Sequence, residues 1–293
     1  MIQNKNWFLR PGYLQGAFWA IMINVVSSSN DVIMRYVGER LHWIEISFFR
    51  YLFSALLILP FMLRQPALFK TEQWGSHALR ALVGAIALTA CCFSVNIMPL
   101  YENTTIMFTQ PVFFLIMARF LLNEAVDWKR WLCTLTGFIG LIVVMRPGTQ
   151  AFQWAALVPT FAAVLFAYSD VQNKRLVKKE NTFTLLFYFA LGSTLFALVP
   201  LFYVWEMPTF KELALLSLLG VGANLIQVCI FKAFSATDAS GLAPFRYVEL
   251  ITGGIMGYIF FNQIPEVHVL YGAFIIILST FVLTIFEQRK DIE

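Results

Sequence analysis

Ten apolar stretches, arranged as five followed by five, constrain this 293-residue chain more than any other feature. They fall at about 13–37, 43–63, 78–98, 101–122, 128–146, 152–172, 182–204, 210–233, 238–262 and 266–287, and a helix needs about 20 apolar residues to cross a bilayer. The composition agrees. The chain is 59% hydrophobic and 13% charged, with a mean hydropathy of +0.71. A soluble chain of this size carries about 25% charged residues, so lipid must be the solvent for most of this surface. The sequence therefore predicts an all-α membrane protein with ten transmembrane helices and no soluble domain.

The two halves are related. An offset of 139 residues lays Asp31-Val32 on Asp170-Val171 and Asn123-Glu124 on Asn262-Gln263. Five is odd, so the second copy must cross the membrane in the opposite sense to the first. The expected plan is a cytoplasmic segment at 1–12, a first repeat at 13–146, a second, inverted five-helix repeat at 150–287, and a cytoplasmic tail at 288–293. Inverted repeats of this kind build many secondary transporters. Basic residues set the orientation, because Lys and Arg accumulate on the cytoplasmic side. With both termini inside, the cytoplasmic segments hold Lys5 and Arg10, Lys129 and Arg130, Arg289 and Lys290, and the run from Lys174 to Lys179. The outer loops hold Arg40, Arg146 and Lys211. The run from Lys174 to Lys179 is read as a topology anchor, not as a nucleic-acid patch. No removable signal peptide is read in residues 1–12, which lack a small-residue cleavage site.

Polar residues inside the spans mark the functional interior. Asn24, Ser28, Asp31 and Arg35 follow one another at spacings of four, three and four, which puts them on one helical face. Asp31 and Arg35 are an acid–base pair at i,i+4, and their repeat partners Asp170 and Lys174 are another. Such pairs can touch on a helix. Span 1 ends outside and span 6 inside, so the two pairs are expected to gate opposite mouths of a central cavity. The bland alternative is a neutralised pair at each helix end.

Glu249 lies near the middle of span 9, where a carboxylate costs several kcal/mol unless it is paired or hydrated. Its counterpart across the offset is Gln110, next to Pro111 in span 4. Both are expected near the pseudo-symmetry axis, where folds of this plan bind substrate. Arg246, three residues before Glu249, is a possible neutralising partner. Hydrogen-bonding candidates are Asn24, Ser28, Gln110, Asn224, Gln227 and Tyr247. Arg50, inside span 2 with Glu45 as its nearest local acid, and Arg246 are the candidates to hold a substrate carboxylate. Trp19, Tyr168 and Tyr247 lie near the polar stripes and are candidates to face a cation, against a plain packing role for each. Pro111 removes a backbone donor from span 4, a break tolerated where helix lines a cavity.

Enzyme signatures are missing. The sequence has no Walker A run, no H-E-x-x-H, no G-x-S-x-G and no Gly-rich dinucleotide loop. The three histidines fall at span ends, and the four cysteines form no C-x-x-C pair. No metal, no cofactor and no catalytic residue is expected.

The halves resemble two EamA-type repeats of the drug/metabolite transporter superfamily. The resemblance rests on Phe48-Phe49-Arg50-Tyr51 through Pro60, on Leu122-Asn123-Glu124-Ala125 with Gly137 and Gly140, and on Ala243-Pro244-Phe245-Arg246-Tyr247 with Gly253, Gly257, Phe261-Asn262-Gln263 and Gly272. It covers nearly the whole chain. It implies spans 1–4 and 6–9 around a central cavity, spans 5 and 10 at the periphery, and movement of a small metabolite by alternating access. Gln263 stands where the family commonly has an acid, and Glu249 where it commonly has a small or polar residue. With Glu249 facing the substrate, the expected cargo is a small amine-bearing or cationic metabolite such as an amino acid, a polyamine or an S-adenosylmethionine-like compound, carried across a bacterial inner membrane. A coupled proton on Glu249 is the other use of a buried carboxylate. The alternatives are a carrier of a neutral or anionic compound such as a vitamin, and a channel.

Overall fold

A computed structural model of the chain describes residues 11–121, 128–146, 154–176, 179–236, 248–264 and 266–290. Among the described residues the secondary structure is entirely helical. The first half contains α1 (Pro11–Val37), α2 (Trp43–Arg64), α3 (Trp74–Ile97), α4 (Leu100–Met107), α5 (Gln110–Leu121) and α6 (Trp128–Met145). The second contains α7 (Leu157–Leu176), α8 (Thr182–Leu201), α9 (Phe210–Ala236), α10 (Val248–Phe261) and α11 (Val267–Lys290). Among the described residues, six stretches are long and apolar enough to cross a membrane, at Trp43–Arg64, Trp74–Ile97, Leu100–Leu121, Trp154–Asn173, Thr182–Leu201 and Phe210–Cys229. Shorter apolar helices run over Thr252–Phe261 and Val267–Ser279.

Local chemistry sets the helix boundaries. His42 caps α2 by accepting from the Ile44 amide, and the Glu45 side chain accepts from the His42 amide. This reciprocal arrangement satisfies two orphan donors. Asn181 caps α8 by accepting from the Phe183 amide at 2.9 Å. The fourth span, expected as one helix over 101–122, is two. It breaks at Phe108 and Thr109, just before Pro111, whose missing N–H cannot bond one turn back. Thr109 closes the break by donating its hydroxyl to the Ile106 carbonyl at 2.7 Å.

Exchanging the two halves reproduces the main helix contacts. The 139-residue offset turns α1 into α7, α2 into α8, α3 into α9, α5 into α10 and α6 into α11. The contact of α1 with α9 thereby becomes that of α7 with α3, α2 with α9 becomes α8 with α3, and α5 with α7 becomes α10 with α1; all six are present. The pairs α2–α8 and α6–α11 map onto themselves and are also present. Close approach needs glycine in two of these seams. A Cβ on Gly220 of α9 would meet the Phe53 backbone of α2, and one on Gly140 of α6 would meet the Gly272 carbonyl of α11.

The core lies between α1, α2, α3 and α9. Met34, Ile46, Tyr51, Leu88, Cys92, Val95, Leu216 and Leu219 are all buried in one cluster. Outside it, large apolar side chains stand exposed, among them Leu63, Phe120, Leu135, Val199, Ile259 and Phe274. Exposed apolar surface on this scale is untenable in water and is the natural outer face of helices in lipid.

Candidate functional site

The polar face of α1 forms as its spacing predicts. Asn24 and Ser28 are each 2% exposed, and Asp31 is half-buried. Helix α10 packs against this face. Ser27 Oγ donates to Glu249 Oε1 at 2.7 Å, and one turn on, the hydroxyls of Ser28 and Thr252 share a hydrogen bond of 2.8 Å. Thr252 Oγ1 also donates to the Glu249 carbonyl at 3.1 Å. Asp31 lies within range of the charges of Glu249 and of Arg50 from α2, and Cys91 of α3 lies within range of all three. Arg50 Nη1 reaches the Met34 sulfur at 3.5 Å. Four helices thus bring two acids, one guanidinium and a set of hydroxyls to one interior place.

A second cluster occupies the place equivalent to the first when the halves are exchanged. Gln110 Nε2 donates to Asp170 Oδ2 at 2.7 Å, joining α5 to α7. The charge of Asp170 is felt by Arg80 of α3, which is 3% exposed. Arg80 Nη1 donates to the Leu185 carbonyl at 3.0 Å, and its guanidinium carbon sits 4.4 Å from the Phe189 ring centroid. Under the offset Asp31 becomes Asp170, Glu249 becomes Gln110 and Arg50 becomes Phe189. The same three positions therefore assemble twice, with an acid, an acid and an arginine in one cluster and an acid, an amide and an aromatic ring in the other.

Several expected partnerships are replaced by others. Asp31 and Arg35 do not pair. Arg35 Nη1 donates to the carbonyls of Met98 at 2.7 Å and Val95 at 3.3 Å, and its guanidinium lies 4.8 Å from the Phe261 centroid. The last carbonyls of α3 lack intrahelical donors and carry the negative end of the helix dipole, so they outcompete a carboxylate one turn away on the same helix. Glu45 does not serve Arg50; it accepts from the backbone amides of His42 and, at 2.9 Å, Glu206. Asn224 and Ser54 bond each other twice, Ser54 Oγ to Asn224 Oδ1 and Asn224 Nδ2 to the Ser54 carbonyl, both at 2.9 Å. That tie links α2 to α9. Gln227 is half-buried three residues further along α9. Trp19 lies under the protein's own Lys232 ammonium of α9, 4.3 Å from its ring centroid. The Tyr168 hydroxyl accepts from Gln172 Nε2 at 2.7 Å. Arg246 and Tyr247 lie outside the described residues, as does the side chain of Lys174.

At one end of the molecule the α1–α2 turn is bound to the segment before α9. Arg40 contacts both carboxylate oxygens of Glu212, Glu206 Oε2 at 3.4 Å and the Met207 carbonyl at 3.1 Å. The hydrogen bond to Glu212 holds the Arg40 guanidinium still more firmly charged than usual, while burial lowers the pKa of His42 in the same turn.

The sequence reading placed Ser27 at the edge of the polar stripe of span 1, but it missed Thr252, Met34, Cys91 and Arg80 as members of these clusters. Arg80 was legible in hindsight, since it supplies the arginine that the offset loses when Arg50 becomes Phe189.

The model of the EamA-like transporter family matches residues 14–146 and again 153–285. The chain belongs to the EamA-like transporter family. Its relatives are named as transporters of the drug/metabolite type, so this EamA-like protein is a multi-pass membrane transporter and not an enzyme. It is 39% identical over 281 residues to the "S-adenosylmethionine uptake transporter" of Rickettsia prowazekii (strain Madrid E), covering 95% of each chain. It is 29% identical over 286 residues to the "Riboflavin transporter" of Vibrio cholerae serotype O1, again over 95% of each. It is 24% identical over 271 residues to the "Pseudopaline exporter CntI" of Pseudomonas aeruginosa, covering 92% of this chain and 95% of that one. One solved crystal structure at 14% identity shares the fold, with a TM-score of 0.64 over 95% of this chain and 98% of its own.

Proposed function

We propose that this EamA-like transporter takes up S-adenosylmethionine, or a compound sharing its amino acid and sulfonium groups, across a bacterial inner membrane by alternating access. The observation that carries the reading is the meeting of Asp31 and Glu249 in one interior cluster. Two carboxylates within range of each other's charge inside a membrane protein favour a cationic ligand. The relative named for S-adenosylmethionine uptake supports the same class, because its 39% identity runs the length of both chains. Ser27, Ser28 and Thr252 hold the site in shape. Asn24, also on the polar face of α1, is the further candidate to contact the ligand.

In this reading the ten spans are two inverted repeats with both ends cytoplasmic, a plan supported by the helix contacts that survive exchange of the halves. The Gln110–Asp170 bond is the inner gate, with Lys174 beside it on α7. The outer gate is Arg35, which ties α1 to the end of α3 and to Phe261 at the end of α10. Opening one set while the other stays closed exposes the Asp31–Glu249 cluster to one side at a time.

The test is uptake of methyl-labelled S-adenosylmethionine by bacterial cells expressing the chain. The reading expects saturable accumulation that excess riboflavin leaves intact. Accumulation no greater than in cells without the chain, or uptake of riboflavin in its place, overturns it.

A further inference from the structure

Among the described residues, three arginines that are buried or half-buried lie within the helices that surround the two clusters, and two of them are accounted for by the fold. Arg35 ends on the Val95 and Met98 carbonyls, and Arg80 on the Leu185 carbonyl and the Phe189 ring. Arg50 is different. Its Nε is buried without a hydrogen-bond partner, and its Nη1 meets a thioether sulfur at 3.5 Å. Thioether sulfur is a weak acceptor, whereas a guanidinium carries five donors in a fork that matches a carboxylate. Among the described residues no carboxylate pairs with it directly. Asp31 is the acid whose charge it feels, across a gap too wide for an ion pair.

The frame does not require an arginine at this position. Under the repeat offset Arg50 becomes Phe189, and the second half folds with a phenyl ring there. An under-satisfied guanidinium at a place where the scaffold accepts an aromatic ring is retained for something other than packing.

Its position along α1 says what that is. Met34, which Arg50 touches, is three residues beyond Asp31 on the same face, and Ser27, which holds Glu249, is four residues before it. At 1.5 Å per residue, the three levels span roughly 10 Å along the helix. Their order is cation, anion, anion. An α-amino acid head group carries its carboxylate and ammonium on one carbon, which suits the neighbouring levels of Arg50 and Asp31. A second positive group further along the same molecule then falls at the level of Glu249.

We propose that Arg50 is the specificity residue for the carboxylate of the substrate's α-amino acid group, with the ammonium on Asp31 and the sulfonium end towards Glu249. This assignment rests on the reading of the protein as an S-adenosylmethionine carrier and deepens it. Arg50 makes the site select a zwitterionic head group over a plain amine. It also separates the cargo from polyamines, which offer only positive charge.

The experiment is competition against methyl-labelled S-adenosylmethionine exchange in proteoliposomes of the full chain. The competitors are unlabelled S-adenosylmethionine and its decarboxylated form, which keeps the amine, the sulfonium and the nucleoside. With the wild type, the decarboxylated compound should compete at least about tenfold less well, the loss expected when a charge-assisted hydrogen bond goes unmade. Arg50→Gln should raise the half-saturating concentration of S-adenosylmethionine at least about tenfold and move that of the decarboxylated compound by less than about twofold. Arg50→Lys, which keeps the charge and loses the fork, should fall between. Equal competition by the two compounds with the wild type overturns the assignment, and so does an equal loss of both in Arg50→Gln. The wild-type comparison decides the matter if the glutamine variant fails to fold. A wild type that exchanges no S-adenosylmethionine at all removes the carrier reading itself, and the role of Arg50 with it.

Discussion

At the scale of single residues, the fold concentrates charges instead of dispersing them. Glu249 is held by Ser27 at 2.7 Å, and Asp31 stands one turn further along α1. Because a hydrogen bond to a charged group contributes about 1.5–3 kcal/mol, Glu249→Gln and Asp31→Asn should each reduce kcat/KM for uptake by about tenfold to a hundredfold. Ser27→Ala removes a support and not a ligand, so its loss should be smaller, about twofold to tenfold. In a Glu249→Gln background Ser27→Ala should cost almost nothing more, since the two act as a unit. Initial rates over a range of substrate concentrations read out all four variants. Much of this cluster was legible in the sequence. The spacing of Asn24, Ser28 and Asp31 announced one polar face, and Glu249 announced itself by its cost in lipid. The partners were not legible. Nearest-neighbour reasoning joined Asp31 to Arg35 because helical geometry allows it, but it does not register the open carbonyls at the end of α3, which come from another part of the chain and bind Arg35 more favourably.

At the scale of helices, small residues decide how closely elements approach. Gly220 lets α9 lie against the Phe53 backbone of α2, where a Cβ would stand 2.9 Å from the backbone carbon. That contact is with main chain, which cannot swing away. Gly220→Ala should therefore destabilise the protein by about 1–3 kcal/mol, seen as a lower Tm in detergent, and it should loosen the neighbouring Ser54–Asn224 tie. A Tm equal to that of the wild type would show that the seam is looser than its geometry. The fourth span illustrates the limits of reading elements from hydropathy. Its apolar run over 101–122 is continuous, so composition alone predicts one helix. The division into α4 and α5 depends on a single missing N–H at Pro111, and only a backbone shows where the chain turns to accommodate it. The break places Gln110 at the start of α5, where it reaches Asp170.

At the scale of the whole molecule, two similar halves carry dissimilar clusters. Gln110–Asp170 and Glu249–Asp31 occupy equivalent positions, yet the first is joined by a direct bond of 2.7 Å, whereas the second sets two acids within range of each other's charge. The offset alone disclosed the correspondence of Gln110 with Glu249. It did not disclose that each crosses to the Asp of the opposite half, because pairing between repeats follows from how the helices cross and not from order along the chain. If the Gln110–Asp170 bond is the inner gate, Gln110→Ala should raise labelling by a membrane-impermeant thiol reagent of single cysteines placed on the cytoplasmic side of the cavity, in a background lacking native cysteines. Labelling from the outer side should fall in step, since a carrier opens to one side at a time. A simultaneous rise on both sides would describe a channel.

Counterflow bears most directly on the central claim, that this chain is an alternating-access carrier of S-adenosylmethionine working through Asp31 and Glu249. Proteoliposomes preloaded with unlabelled S-adenosylmethionine and diluted into a trace of the methyl-labelled compound should accumulate label transiently above its equilibrium level. Glu249→Gln should slow and shrink that overshoot by about tenfold or more. Label that rises to equilibrium without an overshoot in the wild type, or an overshoot that survives Glu249→Gln unchanged, would contradict the account.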